Sequence, residues 1–461
     1  MKEYTCNKVQ NIKIAYIGGG SRGWAWSLMS DLAMANDISG EVALYDIDFE
    51  AAKKNEVIGN RIPENRDCRS VWKYRAVKGM EDALDGADFV VISILPGTFD
   101  EMHSDVHVPE SFGIYQSVGD TTGPGGVIRA LRTIPLYVEF ARAIEKYCPN
   151  AWVINYTNPM AVCVNTLYQV FPKIKAFGCC HEVFGTQKLL AKMLKEMCGL
   201  EHVDRKEIIT NVIGVNHFTW LTAAQYRNME LFPLYQEFCQ KHAADGYKEG
   251  GDDNWMNNSF YCEEKVKMDL FLRHGFIAAA GDRHLAEFCN KKWYLDSLDR
   301  VSEMHFGLTS VEFRRKDLRN RLEKSERLVA GEELFELKPS GEDGVDQMRA
   351  LLGLTELTTN INVPNTGQIP NLPEGVVVES NAIFRANSAV PVLAGNVPME
   401  LYPMIARLAG QQELIVRAGL EQDLELAYQA FIQDPLCDLS LGDSRKMFDE
   451  MVENTRDYLW V

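Results

Sequence analysis

The sequence lacks the long apolar runs of a membrane protein, because no hydrophobic stretch reaches the roughly 18 residues that a spanning helix needs. Its first ten residues, MKEYTCNKVQ, are too polar for a signal peptide. It also lacks a Lys/Arg-rich run, and its net charge of −17 argues against nucleic-acid binding. We therefore expect a cytoplasmic protein that binds neither a membrane nor a nucleic acid.

Disulfide scaffolding, repeats and low-complexity linkers are missing as well. The 11 cysteines are an odd number in a chain of 461 residues, which favours the reduced thiols of a cytosolic enzyme. With 46% hydrophobic and 25% charged residues the chain is globular, and its length predicts two domains or one large enzyme. Since no linker separates the halves, we expect the second half to pack against the first.

The N-terminal segment has the pattern of strand, glycine-rich turn, helix and strand. Residues 13–17 predict a buried strand, and the following GGGSRG matches G-x-G-x-x-G. The next predicted strand, residues 41–45, ends at Asp46, which lies 23 residues after the last glycine of the motif. About 20 residues is the usual distance to a ribose-binding carboxylate, and an acid at this position favours NAD over NADP. The predicted cofactor-binding residues are Gly18, Gly20, Ser21, Arg22, Gly23 and Asp46. The alternative is a tight turn that binds no nucleotide.

Three polar segments each follow an apolar run that predicts a buried strand. The runs are residues 152–154, 174–177 and 208–213, and the segments are 155–160, 178–185 and 214–220. Ligands of open α/β sheets bind outside the strand ends, so we expect Asn158, Cys180 and His217 to meet at one edge. A thiolate and an imidazole can bind a transition metal, and ligand softness alone favours zinc or ferrous iron. Only one of Cys179 and Cys180 can face this site, since neighbouring side chains of an extended segment point to opposite faces.

The remaining segments predict an α/β fold with two parts. The loop of residues 118–126 precedes a predicted helix at 128–147, and it is either a helix entry or a loop over a nicotinamide with Asp120 aimed inward. Residues 221–340 predict mostly helices with few strands, residues 355–400 return to β-like alternation, and residues 401–458 predict two or three helices. We expect a Rossmann-type doubly wound sheet in residues 1–205, and an α+β domain for substrate, metal and oligomerisation in residues 206–461.

Several of these motifs together resemble glycoside hydrolase family 4. They are GGGS at 18–21, TTGPGG at 121–126, NYTNPM at 155–160, CH at 180–181 and GVNH at 214–217. GDRHLAEF at 281–288, NVPN at 362–365 and NLPE at 371–374 extend the resemblance over nearly the whole chain. The CHEV sequence at 180–183 resembles the uronidase branch of the family, and the similarity is greatest to bacterial α-galacturonidases.

The resemblance implies an NAD⁺-dependent enzyme that also needs a divalent metal, usually Mn²⁺, and reducing conditions. The implied reaction is hydrolysis of a terminal α-galacturonide through oxidation, elimination, addition and reduction, an exception to two-carboxylate glycosidase chemistry. Carried over by position, Cys180 and His217 are the protein ligands of the metal. Asn158 and Arg283 contact the sugar.

The acid and the base of the reaction are also implied by the resemblance. His181 takes the position of the leaving-group acid, where members acting on phosphorylated sugars carry aspartate, which argues against a 6-phospho-sugar. Asp120 sits where an acidic residue raises the basicity of the catalytic base. Tyr261 is the nearest candidate for that base, and Tyr247 and the acids at 252–253 are alternatives.

Alternative functions remain open at this point. Within the family they are an α-glucuronidase, a neutral α-galactosidase or an α-glucosidase. Outside it, an NAD-dependent 2-hydroxyacid dehydrogenase shares the nucleotide fold, but would accumulate NADH and has no use for Cys180 with His217. A non-catalytic nucleotide sensor could lose Cys180 without consequence. The family resemblance also implies a homodimer or homotetramer.

Overall fold

The computed structural model of the chain describes residues 2–5, 7–247 and 262–460. The strands of this part are β1 (Glu3–Thr5), β2 (Lys8–Ile17), β3 (Ile38–Tyr45), β4 (Trp72–Val77), β5 (Phe89–Ile92), β6 (Trp152–Asn155), β7 (Lys175–Gly178), β8 (Ile208–Val215), β9 (Phe218–Tyr226), β10 (Met229–Glu230), β11 (Ile277–Ala278), β12 (Leu357–Pro364), β13 (Val377–Arg385) and β14 (Ser388–Pro391).

The α-helices of the same part are α1 (Trp24–Met34), α2 (Phe49–Arg61), α3 (Met80–Leu84), α4 (Phe99–His107), α5 (Gly123–Tyr147), α6 (Met160–Val170), α7 (Glu182–Cys198), α8 (Phe232–His242), α9 (Lys265–His274), α10 (Asp282–Phe288), α11 (Lys291–Tyr294), α12 (Leu298–Glu303), α13 (Val311–Ala330), α14 (Gly344–Leu351), α15 (Tyr402–Glu421), α16 (Leu424–Phe431) and α17 (Leu441–Asn454). Short 3₁₀ helices cover Ile62–Glu64, Pro109–Phe112, Arg205–Glu207 and Arg456–Tyr458.

A twisted parallel sheet forms the N-terminal half, in the order β4-β3-β2-β5-β6-β7. This is the strand order 3-2-1-4-5-6 of the doubly wound nucleotide-binding fold. Ile17 lies beside Tyr45 of β3 and Ile92 of β5, so that three strand ends surround the glycine-rich turn. All four residues of β5 are buried, as expected for a strand covered by helices on both faces. The predicted fold class is therefore confirmed.

The C-terminal half of the chain completes this sheet. Strands β12, β13 and β14 add to it in antiparallel fashion beyond β7, with Asn362 of β12 opposite Gly178 of β7. Residues predicted for the second domain thus lie in the same sheet as the nucleotide-binding strands. As a result, strand β12 covers the edge of β7, just before Cys180. Asn360 of β12, which contacts the Cys180 carbonyl, lies 180 residues further along the chain. The boundary near residue 205 stays a prediction.

A second, smaller sheet carries His217. Strand β9 lies at its centre, pairing antiparallel with β8, β10 and β11. The expectation that residues 208–213 belong to the same sheet as the runs at 152–154 and 174–177 is wrong. Strand β8 does not cross over to the parallel sheet, because it turns back tightly through Asn216 and His217 into β9. The expectation of few strands after residue 220 overlooked this hairpin, which continues to Tyr226.

Helix α5 joins the two halves. Sixteen of its residues are buried along a length of 25. Ile134 of α5 and Leu408 of α15 belong to one hydrophobic cluster, and a Cβ added at Gly419 of α15 would lie 2.4 Å from Ile134. The C-terminal helices therefore pack closely on the nucleotide-binding half. They number three, and the sequence predicted two or three. None of the described helices is both long and apolar enough to span a membrane.

Candidate active site

The glycine-rich turn after β2 is shaped by close backbone contacts. Gly18 has φ +94, and a Cβ there would lie 1.9 Å from the carbonyl oxygen of Ser93. The N–H of Gly20 donates to Oδ2 of Asp46 at 2.8 Å. Helix α1 begins after Gly23, which provides no side-chain cap, so the first N–H groups of this helix are available to an anion. The turn thus fits the pyrophosphate of a dinucleotide.

Asp46 lies at the end of β3, where the sequence predicted a ribose-binding acid. It accepts hydrogen bonds from the N–H groups of Gly20 and Asp48, the second at 2.9 Å. Burial raises the pKa of Asp46, and these two hydrogen bonds offset the increase only in part. Arg22 lies on the same turn, and its buried Nε has no hydrogen-bond partner among the described residues. These polar groups leave hydrogen-bonding capacity for a ligand beside the turn.

A cluster of three potential metal ligands lies in front of the parallel sheet. One ligand atom each of Asp120, His217 and His284 lies within 4.8 Å of the others. The ring centroids of His217 and His284 are 3.9 Å apart, and Nδ1 of His217 lies 3.0 Å from Oγ1 of Thr121. His217 reaches this position from the β8–β9 turn, with φ +63. A carboxylate and two imidazoles form a donor set for a divalent transition metal.

The charges around this cluster favour metal binding. Burial by itself would raise the pKa of Asp120, but Arg129 and Arg314, with smaller contributions from both histidines, lower it to about 2. Burial and the proximity of His217 lower the pKa of His284 to about 3. Asp120 is therefore ionised and His284 neutral at pH 7. These are the protonation states in which carboxylate and imidazole coordinate a cation.

Cys180 is not one of the three members of this cluster. The thiol is buried among side chains of α6 and β13, and burial, followed by the carboxylates of Glu379 and Glu182, raises its pKa well above the ordinary value. Asn360 donates to the Cys180 carbonyl at 3.2 Å and to Glu379 at 2.6 Å. Asn216, next to His217, donates to the other oxygen of Glu379 at 3.4 Å. Glu379 thus joins the Cys180 segment to the His217 turn.

Cys179 faces a different environment from Cys180. Its Sγ lies 4.0 Å from Oε2 of Glu342, and burial raises its pKa well above the ordinary value. Its nearest polar neighbours include the Tyr156 hydroxyl, whereas Cys180 lies against Glu379 and Glu182. The two adjacent thiols therefore have separate surroundings, as their extended backbone predicts.

His181 is a strong candidate for a proton donor. Its Nδ1 lies 2.7 Å from Oε1 of Glu342, and its Nε2 lies 3.8 Å from Oε1 of Glu182. Burial lowers the pKa of this imidazole, but the two carboxylates outweigh burial and raise it to about 9. His181 is therefore protonated at pH 7. A positioned imidazolium of this kind suits general-acid catalysis.

Glu182 connects His181 to the metal-ligand cluster. It accepts a 2.6 Å hydrogen bond from the N–H of Gly281, and its Oε1 lies 3.7 Å from Nε2 of His284. Burial raises the pKa of Glu182, but the nearby histidines reverse this effect and hold it well below the ordinary value. The carboxylate is thus a fixed negative charge between two imidazoles.

The two predicted sugar-binding residues lie beside the same cluster. Arg129 donates from Nε to the carbonyl of Asn158 at 3.0 Å, and the buried Oδ1 of Asn158 has no partner in the described part of the chain. The Arg283 guanidinium donates to Thr309, and its own carbonyl accepts from Ser117 at 2.6 Å. Both residues can therefore meet a ligand in front of Asp120.

The predicted base is not located. Tyr261 and the acids at 252–253 lie outside the described residues. Of the alternatives, Tyr247 has its ring centroid 4.9 Å from that of Phe238 and 5.1 Å from that of His242. The identity of the base therefore stays a prediction, with Tyr261 as its first candidate.

Sequence reasoning overlooked several residues of this site. His284 and Glu182 carried a signal, because each directly follows a predicted site residue, Arg283 and His181 respectively. Glu342 and Arg314 carried none, since each comes from an otherwise ordinary polar stretch and reaches the site only through the fold.

The fold and the site define an α/β enzyme of Rossmann type with a buried imidazole–carboxylate centre. Comparison with known proteins identifies one family. The "Family 4 glycosyl hydrolase" profile matches residues 13–196, and the corresponding C-terminal domain profile matches residues 212–437. An alpha-galacturonidase of Thermoanaerobacterium saccharolyticum is 57% identical over 99% of this chain and 98% of its own length. The chain belongs to family 4 of the glycosyl hydrolases, which confirms the predicted resemblance.

Further relatives extend this comparison. An alpha-galacturonidase of Bacillus subtilis is 50% identical over 96% of this chain and 98% of its own length. The crystal structure of lplD from Bacillus subtilis, 50% identical, superposes with a TM-score of 0.91 over 96% of this chain and all of that one. A 6-phospho-alpha-glucosidase from gut microorganisms, solved with NAD and Mn²⁺, shares the fold at 18% identity, with a TM-score of 0.81 over 97% of this chain and 99% of that one.

Proposed function

We propose that the protein hydrolyses terminal α-galacturonides, such as the ends of pectin fragments, with NAD⁺ and Mn²⁺ as cofactors. The observation that carries the proposal is the 57% identity to an alpha-galacturonidase over nearly the whole of both chains. The charges of the site agree with an anionic sugar. Arg129 and Arg314 lower the pKa of Asp120, and Arg283 lowers the pKa values of His217 and His284, in a chain whose net charge is −17.

The residues present fit both cofactors. The turn from Gly18 to Gly23 and the start of α1 would hold the pyrophosphate, and Asp46 the ribose. Cys180 and His217 would hold the metal, with Asp120 and His284 available as further donors. A carboxylate and a second imidazole make the donor set harder than a thiolate–imidazole pair, which reduces the expected preference for zinc or iron over manganese. When bound, NAD supplies a reversible hydride acceptor and the metal supplies Lewis acidity.

The chain's own groups then have distinct tasks. Asn158 and Arg283 would orient the sugar with hydrogen bonds, since Arg129 holds the Asn158 carbonyl and Thr309 holds the Arg283 guanidinium. His181 holds a proton on its imidazole at pH 7, since Glu342 and Glu182 keep its pKa at about 9, and it donates this proton to the departing glycosidic oxygen. Tyr261 remains the first candidate for the base that removes the C2 proton, and Asp120 supports it through its fixed negative charge.

A substrate panel tests the proposed function. Purified protein with NAD⁺, Mn²⁺ and a reductant is assayed on the 4-nitrophenyl α-glycosides of galacturonate, glucuronate, galactose and glucose. We expect the galacturonide to be cleaved with the highest kcat/KM. Preferential cleavage of a neutral glycoside would refute the uronide assignment, and preference for the glucuronide would make the enzyme an α-glucuronidase.

The alternatives outside the family are disfavoured by the full-length similarity to glycosidases. A 2-hydroxyacid dehydrogenase would accumulate NADH in proportion to substrate, whereas the proposed hydrolase needs NAD⁺ only in catalytic amounts. A nucleotide sensor would show neither sugar release nor NADH. Sugar release and absorbance at the NADH band, recorded together on the panel and on a 2-hydroxyacid, therefore separate all three.

The location and assembly belong to the same proposal. The ten described cysteines are all free thiols, which suits the reducing cytoplasm. A homodimer or homotetramer is expected, and sedimentation equilibrium at micromolar protein concentration measures it directly.

A further inference from the structure

One arginine of helix α13 differs from the others in its surroundings. The helix carries five arginines, and four of them pair with carboxylates: Arg315 with Asp100, Arg319 with Glu312, Arg321 with Asp317 and Arg327 with Glu333. Arg314 forms no such ion pair among the residues that the structure describes. Its Nη2 makes one long contact of 3.5 Å to the carbonyl of Val118, and its buried Nε has no hydrogen-bond partner within the described ranges.

Arg314 is directed toward the active site by contacts around the 117–120 loop. The N–H of Thr309, just before α13, donates to the carbonyl of Ser117 at 2.9 Å. Arg283, the predicted sugar-binding arginine, donates to the hydroxyl of the same Thr309. The start of α13 is thus attached both to the loop that ends in Asp120 and to Arg283. Val118, which Arg314 contacts, is two residues before Asp120.

The other two arginines of the site already have partners. Arg129 donates to the Asn158 carbonyl and is the first of the positive groups that lower the pKa of Asp120. Arg283 donates to Thr309, and Glu182 is the carboxylate with the largest effect on it. Arg314 is therefore the cation whose donors are least committed. A buried guanidinium N–H without an acceptor is unfavourable, so a bound anion that supplies one is favoured.

We propose that Arg314 binds the C6 carboxylate of the sugar and so selects uronides over neutral glycosides. This inference rests on the proposed function, because it assigns the group that recognises its substrate. The planar guanidinium can form two parallel hydrogen bonds to a carboxylate, which a hydroxymethyl group cannot accept in the same way. Arg314 also lies in the first turn of a helix, whose N-terminus favours a negative charge.

The test compares R314Q with R315Q, its neighbour on the same helix, which pairs with Asp100 at the surface. Both variants and the wild type are assayed on 4-nitrophenyl α-galacturonide, and the inhibition constant of free galacturonate is measured for each. R314Q is expected to lose roughly 30-fold or more in kcat/KM and in galacturonate affinity, since breaking a buried charge pair costs at least about 2 kcal/mol. R315Q should match the wild type, and R314K, which keeps the charge without the planar fork, should lie between.

The outcomes are separable. Binding of NAD⁺ should be equal in R314Q and wild type, and binding of Mn²⁺ should be no weaker, because neither cofactor is held by Arg314 and Arg129 still acts on Asp120. If R314Q loses less than threefold in galacturonate affinity, or weakens NAD⁺ binding as strongly as galacturonate binding, the inference is wrong while the proposed function stands. If the wild type itself prefers the neutral galactoside, the proposed function fails first, in the absence of any variant.

Discussion

Substitution of Gly18 by alanine tests the nucleotide turn most directly. The residue has φ +94, and an alanine Cβ would lie 1.9 Å from the carbonyl oxygen of Ser93 at the end of the neighbouring strand. Contacts of a Cβ shorter than 3.0 Å are essentially never found, so the turn and the strand end must move apart by about an ångström. The movement displaces the N–H groups that would meet the pyrophosphate.

The cost has two parts. A non-glycine residue in the left-handed region costs roughly 1–2 kcal/mol, and forcing an extra methyl into close packing costs about 1–3 kcal/mol. We therefore expect G18A to destabilise the fold by roughly 2–5 kcal/mol and to lower the melting temperature by several degrees. Because the helix start is displaced as well, NAD⁺ affinity should fall at least tenfold, or about 1.4 kcal/mol.

Thermal melting and calorimetric titration with NAD⁺ measure the two effects. Gly410→Ala is the matched control, since Gly410 is exposed within α15 and an added Cβ meets nothing within 4 Å. It should leave NAD⁺ binding unchanged and stabilise the helix by up to about 1 kcal/mol. A G18A protein with the melting temperature and NAD⁺ affinity of the wild type would show that the turn does not lie against Ser93 as described.

Four further substitutions test the site and its surroundings. Glu342→Gln removes the carboxylate that raises the pKa of His181 to about 9, so the alkaline limb of kcat should move to lower pH; an unmoved limb would exclude His181 as the acid. Cys180→Ser and His284→Ala should each weaken Mn²⁺ activation while NAD⁺ binding persists, by at least the roughly 10–100-fold that follows the loss of a group that only orients a metal ligand; near-normal turnover of C180S would remove the thiol from the metal site. Asp31→Asn should alter the pH dependence of stability, because burial raises the pKa of Asp31 to about 7. Because the pKa of Asp31 is raised in the folded state, its protonated form stabilises the protein at low pH, and this stability is lost as the pH rises from about 4 through 7. The loss amounts to at most about 4 kcal/mol in the wild type. Melting curves of D31N recorded over this pH range should lack the decline.

The sequence predicted the nucleotide-binding half well because its signals are local. A strand, three glycines, a helix and Asp46 lie within one short stretch, and each has a physical reason that does not depend on distant residues. The parallel order that follows from such a unit was found, with β2 at its centre. The sequence also predicted two or three C-terminal helices, and the structure has three, α15, α16 and α17.

The rest of the site depends on contacts that sequence patterns do not encode. His217 was predicted at a strand end of the parallel sheet, but it lies in a hairpin turn of the second sheet. Both placements follow an apolar run, and periodicity alone does not tell a parallel crossover from an antiparallel return. Glu342 precedes α14 and meets His181 across 161 positions of chain, so only the folded arrangement brings them together. The β-like alternation of residues 355–400 predicted strands where β12 and β13 lie, but not their antiparallel addition to the parallel sheet.

Two histidines on either side of Glu182 show how the fold assigns different chemistry to the same side chain. His181 and His284 lie at nearly equal distances from Oε1 of Glu182, 3.8 and 3.7 Å. Their pKa values are nevertheless about 9 and about 3. The shared carboxylate therefore does not decide the difference. His181 has a second carboxylate, Glu342, whereas His284 is more deeply buried and faces His217.

This asymmetry would place the proposed proton donor, His181, and a proposed metal ligand, His284, on either side of one carboxylate. An imidazole that keeps its proton cannot coordinate a cation, and one that has lost it cannot act as an acid. Displacing the pKa values of neighbouring groups in opposite directions is how an active site assigns acid and base roles at one pH. Without Glu342, His181 would keep the Glu182 carboxylate but have a lower pKa, so that a smaller fraction of the imidazole would hold a proton at pH 7. We therefore expect E342Q to have less of its general acid at pH 7 and more of a competing neutral donor beside Cys180, so that added Mn²⁺ should not restore its activity.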